Sequence, residues 1–314
     1  MKVLCLGSIC LDILIKNIED FPRPNHVTQV DSISLLGGGG ALNTAIALKR
    51  LGVDAYPMGE IGKDYAGDVL LNIMDAEGLD SSYVLRRENK CSSVVNVLIN
   101  KEGERSFICN PGNFIMVSID DYDWSILQEF DALLIGSCFL LDTLLPDLPE
   151  VLKQCKKYNT ISLVDTVWPT RPTYKLIEKS IPFMDFFTPS FEEAQVISNY
   201  QKPEDIANWC LGLGAENVII KMDKAGCYLA NKNTQEQISA LEVSLVDSTG
   251  AGDCFLAGFL KGLSLKFDLN KAAKLGNAAG AMCVQHVGAY TGIKDFDNLY
   301  KQLFYKYETN CNHV

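Results

Sequence analysis

The chain has 314 residues, of which 47% are hydrophobic and 21% are charged. This composition is typical of a globular protein with a large core, and it excludes an intrinsically disordered chain. The formal net charge of −11 and the pI of about 4.8 argue against binding to nucleic acid or to an anionic membrane. A local basic pocket for a phosphorylated ligand remains compatible with that charge.

The apolar runs and the cysteines predict where the protein works. No stretch approaches 18 uninterrupted apolar residues, so we expect no membrane span. The apolar run from Met1 to Ile15 is interrupted by Asp12, which favours a buried first strand over a signal peptide. The eleven cysteines are scattered without C-x-x-C pairs, as is typical of reduced thiols. We therefore expect a cytoplasmic protein.

The N-terminal third predicts strands, two helices and a hairpin. Residues 27–36 alternate in polarity and predict a half-exposed strand. Residues 91–99 and 104–109 flank Asn100-Lys-Glu-Gly103, which predicts a β-hairpin. The other expected elements are a strand near 3–6, a helix at 41–51, a strand near 55–60 and a helix at 65–77.

From about residue 130 the pattern changes to strands that alternate with helices. Nearly continuous apolar strands in this arrangement indicate a parallel sheet that is covered by helices on both faces. The strands are expected at 132–135, 161–165, 186–188 and 217–221. The helices are expected at 146–158, 191–199, 203–213, 253–264, 270–286 and 295–307.

The partly exposed strands of the first half fit that buried sheet poorly. We predict that segments of about 13–36 and 91–116 form a small β-sheet lid that extends from a single domain, 1–314. An exposed sheet edge pairs readily with a second copy, so a homodimer through the lid is expected.

The segment Asp247–Asp253 has the sequence DSTGAGD and lies between a strand-like run at 241–246 and a helix-like run at 254–263. Its small residues let the backbone approach a ligand, and the free N–H groups of a helix N-terminus bind anions. Asp253 adds a carboxylate beside that anion. This combination suits phosphoryl transfer to a hydroxyl group, and the alternative is a tight strand–helix turn with an acidic residue.

Two more segments follow strand ends, where open α/β sheets bind ligands. The first is Gly7–Asp12, in which Asp12 can accept hydrogen bonds from sugar hydroxyls or serve as a turn residue. The second is Gly37–Asn43, in which four glycines precede a helix and Asn43 offers an amide, unless it is only a flexible connection. Together these segments favour a polyol site that faces a phosphate site. The chain has neither G-x-x-x-x-G-K-[ST] nor G-x-G-x-x-G, which argues against P-loop and dinucleotide sites.

These motifs also carry a resemblance. An N-terminal signature matches Gly39–Asn43 with Ala45, Gly52 and Gly62, and a C-terminal signature matches Asp247–Asp253 followed by 257–259. With both signatures in order, the sequence resembles the ribokinase-like, or PfkB, carbohydrate kinase family from Gly7 to Gly292. The resemblance implies a ribokinase-like three-layer αβα core with a parallel-rich sheet of about nine strands and a small β-sheet lid.

The resemblance further implies ATP as phosphoryl donor, Mg²⁺ as cofactor, and a role for each matched position. It implies Asp253 as general base and the backbone of Gly250, Ala251 and Gly252 as an anion hole. The implied sugar-contacting residues are Asp12, Gly38, Gly39 and Asn43. The implied nucleotide-side residues are Lys221, Gly226 and Asn277, with Glu193 in the metal–phosphate region. The residues that bind K⁺ in some members correspond to Asp247, Thr249 and Gly288.

The chain departs from the family pattern at three places. Ser190 stands where many members have the asparagine of N-x-x-E, and Asp223 stands where a nucleotide loop often has glycine. The glycine run at 37–40 lacks the lysine of ribokinase proper, which argues against ribose as the substrate.

Several expectations and alternatives complete the hypothesis. We expect the α-helix dipole to keep Asp253 ionised at neutral pH. Arg105 is expected to reach a hydroxyl or carboxylate of the substrate, or else to be a solvated strand residue. Asp165 and Arg171 follow a core strand and are expected to line the site. One alternative function is a nucleoside kinase with an aromatic pocket at Phe107 and Phe114. The other is a non-catalytic sugar or nucleotide sensor, which has no need of a base.

Overall fold

The computed structural model describes residues 1–18, 23–101, 104–113, 116–168 and 173–307. The expected lid segments therefore fall partly outside the described residues, at 19–22, 102–103 and 114–115. Arg171 and Phe114 also lie outside them. The other expected site residues are all described.

The strands form two separate sheets. A nine-stranded sheet has the order β13-β12-β11-β10-β9-β8-β1-β4-β5, and a four-stranded sheet has the order β3-β2-β6-β7. The strands are β1 Lys2–Gly7, β2 Cys10–Lys16, β3 Ser32–Gly38, β4 Asp54–Gly62, β5 Val84–Arg87, β6 Ser93–Ile99, β7 Arg105–Asn110, β8 Ala132–Gly136, β9 Ile161–Val164, β10 Phe186–Phe187, β11 Asn217–Lys221, β12 Cys227–Asn231 and β13 Gln235–Ile238.

The large sheet is parallel except at one edge. All its pairs run parallel from β5 to β11, and only β12 and β13 pair antiparallel. Parallel strands are buried on both faces, which accounts for the nearly continuous apolar sequences of β1, β8 and β11. The carboxyl ends of these strands therefore meet along one edge, where the loops that carry the candidate residues begin.

Helices cover both faces of the large sheet. Side chains of β1 alternate between two cores: Val3 and Cys5 pack with α1, α6 and α7, whereas Leu4 and Leu6 pack with α3, α4 and α5. The helices are α1 Gly40–Arg50, α2 Tyr65–Ala76, α3 Leu148–Tyr158, α4 Phe191–Ser198, α5 Pro203–Gly212, α6 Ala251–Ser264, α7 Leu269–Cys283 and α8 Phe296–Tyr307. The predicted three-layer α/β fold with a small separate sheet is confirmed.

The four-stranded sheet contains the predicted hairpin. β6 and β7 pair antiparallel with Ile99 opposite Arg105, and β2 pairs parallel with β6 and antiparallel with β3. The face that carries Leu14, Val97 and Ile99 packs against Val287 of the main body. This packing sets the sheet over the loops at the start of α1 and α6.

The first strand follows the prediction near 3–6, because β1 ends at Gly7 and the chain continues after Ser8-Ile9 as β2 in the other sheet. One local prediction was wrong. Residues 241–246 form no strand, although their apolar pattern suggested one. Leu245 is 70% exposed, and this segment pairs with no strand among the described residues.

None of the helices in the described part of the chain is long and apolar enough to cross a membrane.

Candidate active site

The N-terminus of α6 presents backbone N–H groups of the kind that bind anions. Gly250 caps the helix with φ +74°, and a Cβ atom there would lie 2.2 Å from the carbonyl oxygen of Ala289, so only glycine fits. Within the described residues, the N–H groups of Gly250, Gly252 and Asp253 have no hydrogen-bond partner. Unpaired N–H groups at the positive end of a 14-residue helix favour a bound anion.

Asp253 lies in the first turn of α6 and is held by Asn43 in the first turn of α1. The Nδ2 atom of Asn43 donates to Oδ2 of Asp253 at 2.9 Å, across 210 residues of sequence. The other amide atom of Asn43, Oδ1, is buried and has no partner among the described residues. A buried acceptor without a partner is costly in a folded protein, so it suits a hydroxyl group supplied by a ligand.

Burial changes the charge expected for Asp253. The protein packed around its carboxyl group disfavours the charged form and raises the pKa to about 7, although the hydrogen bond from Asn43 opposes this effect. Burial therefore acts against the expected effect of the helix dipole, which favours the charged form of Asp253.

Asp12 lies on β2 of the small sheet, opposite Leu36 of β3. A Cβ atom on Gly38 would lie 2.4 Å from the Asp12 carboxylate, so a side chain at this position would displace that carboxylate. Burial raises the pKa of Asp12 to about 6, whereas a hydrogen bond from the Cys10 thiol at 3.4 Å opposes the rise. The charge of Asp12 also acts on Asp253, so the two expected acceptor-side acids lie in one neighbourhood.

Lys221 and Asp165 form a buried ion pair beside the start of α6. Lys221 ends β11, Asp165 follows β9, and the Lys221 ammonium group bonds the Asp165 carboxylate. A Cβ atom on Gly252 would lie 3.3 Å from Nζ of Lys221, which places the ammonium group against the start of α6. Burial raises the pKa of Asp165, although Lys221 opposes the rise. Sequence analysis predicted both residues but not their pairing.

Glu193 and Ser190 form a capping box at the start of α4. Oε2 of Glu193 accepts from the N–H of Ser190 at 3.2 Å and from the hydroxyl of Thr166 at 2.5 Å. Oγ of Ser190 accepts from the N–H of Glu193 at 3.4 Å. Ser190, which departs from the family asparagine, therefore acts as a helix cap.

Two of the expected nucleotide-side residues hold the segment that follows β13. Asn277 donates to the carbonyl oxygens of Ile238 and Ser239, both at 3.1 Å. A Cβ atom on Gly226 would lie 2.0 Å from the carbonyl oxygen of Ile238. Both residues thus shape the same stretch of backbone.

Two of the three residues expected to bind K⁺, Asp247 and Thr249, are bonded to Arg105. The N–H of Gly288 donates to Oδ2 of Asp247 at 2.6 Å, and the N–H of Thr249 donates to Oδ1 at 2.8 Å. The guanidinium group of Arg105 bonds the Asp247 carboxylate and the Thr249 hydroxyl. Sequence analysis missed this link, because a lone arginine at the start of a hairpin strand gives no sign of its partner.

Phe107 lies between Arg105 and Cys109 on one face of β7, because alternate strand residues share a face. Burial, and to a lesser extent the charge of Asp12, raises the pKa of Cys109, which places this face near the acceptor-side acid. Phe107 is 58% exposed. An aromatic side chain thus stands uncovered next to the candidate site.

Comparison with known proteins decides the family. Residues 1–295 match the pfkB family carbohydrate kinase. The chain belongs to the PfkB family. It is 28% identical over 299 residues to a ribokinase of Staphylococcus aureus, and the alignment covers 93% of this chain and 96% of that protein. It is 27% identical over 278 residues to an aminoimidazole riboside kinase of Salmonella typhimurium, and that alignment covers 83% of this chain and 86% of the kinase.

A solved structure agrees with the PfkB assignment. The ribokinase of Thermotoga maritima superposes with a TM-score of 0.81 at 26% identity, over 96% of this chain and 99% of that chain. The protein is accordingly a ribokinase-like sugar or nucleoside kinase, a phosphotransferase with a hydroxyl group as acceptor. The two curated relatives differ in their named activities at nearly equal identity, so identity alone does not choose the acceptor.

Proposed function

We propose that the protein transfers the γ-phosphate of ATP to a hydroxyl group of a small carbohydrate. In this proposal Asp253 is the general base, and the backbone of Gly250, Ala251 and Gly252 is the anion hole. The observation that carries it is the Asp253 carboxyl group, which Asn43 holds beside unpaired N–H groups at the start of α6. A base within reach of an anion pocket is the arrangement that phosphoryl transfer to a hydroxyl requires.

The acceptor hydroxyl lies against the Asp253 carboxyl group in this mechanism. Its proton passes to Asp253 as its oxygen bonds the γ-phosphorus, while the bond from that phosphorus to the β-phosphate oxygen breaks and ADP leaves. The N–H groups at the start of α6 and the ammonium group of Lys221 stabilise the negative charge on the transferred group. A base with a pKa of about 7 is well matched to neutral pH.

The acceptor is oriented by the polar groups that sequence analysis predicted. Asp12 and the free Oδ1 of Asn43 accept hydrogen bonds from further hydroxyl groups, with Gly38 and Gly39 leaving room for the ring. Asp165 acts through its pair with Lys221, next to the transferred phosphate. A polyol meets these demands, because each acceptor atom left buried without a partner costs free energy.

Mg²⁺, when bound with ATP, would neutralise charge on the phosphates. Proteins bind it largely through substrate phosphates and waters, with one or two carboxylates. Glu193 is the carboxylate that we assign to that region. On the nucleotide side we assign Gly226 and Asn277, which fix the backbone after β13.

The small sheet serves as the lid of a single domain, 1–314, in this account. The hairpin of β6 and β7 covers the acceptor and excludes water, which limits ATP hydrolysis. Its outer strands β3 and β7 leave open edges with exposed Ile33 and Ile108, which favour a homodimer through the lid. If the lid closes, hydrogen exchange in the hairpin at 91–109 slows when the acceptor binds, and unchanged exchange contradicts that role.

The test is ADP release from ATP and Mg²⁺ over ketohexoses, pentoses, sugar acids, inositols and nucleosides. Asp253→Ala provides the blank. Turnover with one class of carbohydrate that is lost in the variant supports the proposal. Turnover with nucleosides alone supports the second candidate, a nucleoside kinase, which the uncovered Phe107 favours because aromatic rings stack on bases. ATP binding without turnover on any acceptor supports the sensor alternative.

A further inference from the structure

Arg105 joins the small sheet to the loop that precedes the anion hole. It is the first residue of β7, and its guanidinium group bonds the carboxylate of Asp247 and the hydroxyl of Thr249. The Arg105 side chain is only 13% exposed, and the Asp247 side chain is fully buried. A buried carboxylate needs a compensating positive charge and hydrogen bonds. Arg105 supplies that charge from a strand 142 residues away in sequence.

The side-chain oxygen atoms that Asp247 and Thr249 would offer to K⁺ already accept hydrogen bonds from donors of the protein. Oδ2 of Asp247 accepts from Arg105 and from the N–H of Gly288, and Oδ1 accepts from the N–H of Thr249. The Thr249 hydroxyl accepts from Arg105 as well. K⁺ needs oxygen lone pairs, and here it would lie against a guanidinium group of the same charge. The residues present therefore do not fit the K⁺ ion that the family resemblance implies.

We propose that the Arg105 guanidinium group takes the place of a monovalent cation and makes the kinase independent of K⁺. It neutralises Asp247 and fixes Thr249, the residue directly before Gly250 of the anion hole. Arg105 is thus a positioning residue that acts through the loop and not on the acceptor. The same bonds tie the small sheet to the start of α6. The effect on turnover rests on the proposed function, whereas the effect on stability does not.

The first experiment uses the wild-type protein in KCl and in tetramethylammonium chloride at equal ionic strength. Melting temperature and ADP release are the readouts. We expect the two salts to give the same melting temperature and the same rate. A melting temperature several degrees higher in KCl, or a rate several-fold higher, overturns the proposal.

The second experiment removes the guanidinium group of Arg105 by mutation. Arg105→Gln leaves a buried carboxylate without its charge partner, so we expect the melting temperature to fall by about 5 °C or more in tetramethylammonium chloride. KCl should recover part of that loss, and part of an approximately tenfold loss of ADP release, because K⁺ can then reach the vacated position.

The matched control is Arg86→Gln. Arg86 pairs with Asp68 at 2.6 Å, and the Asp68 side chain is 55% exposed, so the same substitution breaks an ion pair at the surface. We expect a change of about 1 °C or less and no response to KCl. The proposal is overturned if Arg105→Gln behaves like this control.

A double variant covers the case in which Arg105→Gln does not fold. Arg105→Gln with Asp247→Asn removes both charges, so no buried charge is left unpaired. We expect the double variant to fold, to have a higher melting temperature than Arg105→Gln, and to show the same melting temperature with and without KCl. A KCl response in the double variant contradicts the assigned role of Asp247. Melting temperature needs no acceptor, so these results stand apart from a failed search for turnover.

Discussion

The N-terminus of α6 is shaped by its backbone, whereas the four-stranded sheet meets the site through side chains. At α6, Gly250 packs against Ala289 without room for a Cβ atom, and the N–H groups of the proposed anion pocket have no partner in the described part of the chain. On the sheet, Asp12 projects from β2 and Arg105 and Phe107 project from β7, and Phe107 is exposed. Backbone geometry tolerates few residue types, so the first region is recognisable from its sequence. The side chains of the four-stranded sheet can differ between kinases that bind different acceptors.

This difference assigns separate tasks to the two regions. The α6 region should govern the transfer step with every acceptor, and the sheet should govern which acceptor binds. Relatives with different named activities, a ribokinase and an aminoimidazole riboside kinase, are almost equally identical to this chain. Substitutions in each region test whether the two tasks are separate.

Gly250→Ala should have the largest effect of the following substitutions. A Cβ atom would meet Ala289 and would force an L-residue into the left-handed region, at a cost of about 2 kcal/mol or more. Because the anion pocket would shift as well, we expect about a 100-fold loss of kcat with every acceptor. Thermal unfolding and ADP release measure the two effects.

Gly212→Ala is the control for that substitution. Gly212 ends α5, and a Cβ atom there would meet nothing within 4 Å. We expect a stability equal to or above that of the wild type. If Gly250→Ala matches this control in rate, the backbone account of the anion pocket is wrong.

The dependence of rate on pH should be the next largest effect. Only the charged form of Asp253 accepts a proton, and its pKa is raised to about 7. The rate should therefore rise about tenfold per pH unit below 7 and level off above it. A profile that is flat from pH 5 to pH 8 would show that the rate does not depend on this carboxyl group.

The same raised pKa has the opposite effect on stability. The folded protein binds the Asp253 proton more tightly than the unfolded chain does, whose pKa is near 3.8. The contribution of this group to stability is therefore lost as pH rises from about 4 to 7. Asp253→Asn should accordingly weaken the pH dependence of the melting temperature in that window.

Asn43→Ala should lower kcat by about tenfold, because it removes the group that orients the base. The substitution should also shift the pH dependence of the rate to higher pH, since the hydrogen bond from Asn43 lowers the pKa of Asp253. Asn208→Ala on the exposed surface of α5 is the control, and it should change neither rate nor profile. An unshifted profile in Asn43→Ala would contradict the contact.

Phe107→Ala should have the smallest effect and should act on the acceptor alone. We expect KM for the acceptor to rise by about threefold to tenfold as the stacking surface is lost, with KM for ATP unchanged. Ile108→Ala is matched for exposure but faces the other way on β7, so it should leave both constants unaltered. A loss of kcat in Phe107→Ala with unchanged KM for the acceptor would show that the sheet does not act on acceptor binding alone.

The limits of sequence analysis follow the same division. The strand at 217–221 and the helix starts near Asp253 and Ala41 were predicted closely, because buried strands and helix termini have strong local patterns. Strands β5 and β13 were missed, since each has only four residues and is rich in polar side chains. The ion pairs of Arg105 and Lys221 were missed too, because they join residues that only the tertiary fold brings together.

The most direct test of the central claim compares wild type with Asp253→Asn in the phosphoryl-transfer step. Single-turnover transfer from ATP to the acceptor found in the panel would be measured at pH 8, together with ATP binding. Asp68→Asn is the control, because Asp68 is also an acid in the first turn of a helix but lies at the surface. We expect transfer to fall by at least about 100-fold in Asp253→Asn, with ATP binding unchanged. Near-normal transfer in that variant would contradict the assignment of Asp253 as the base.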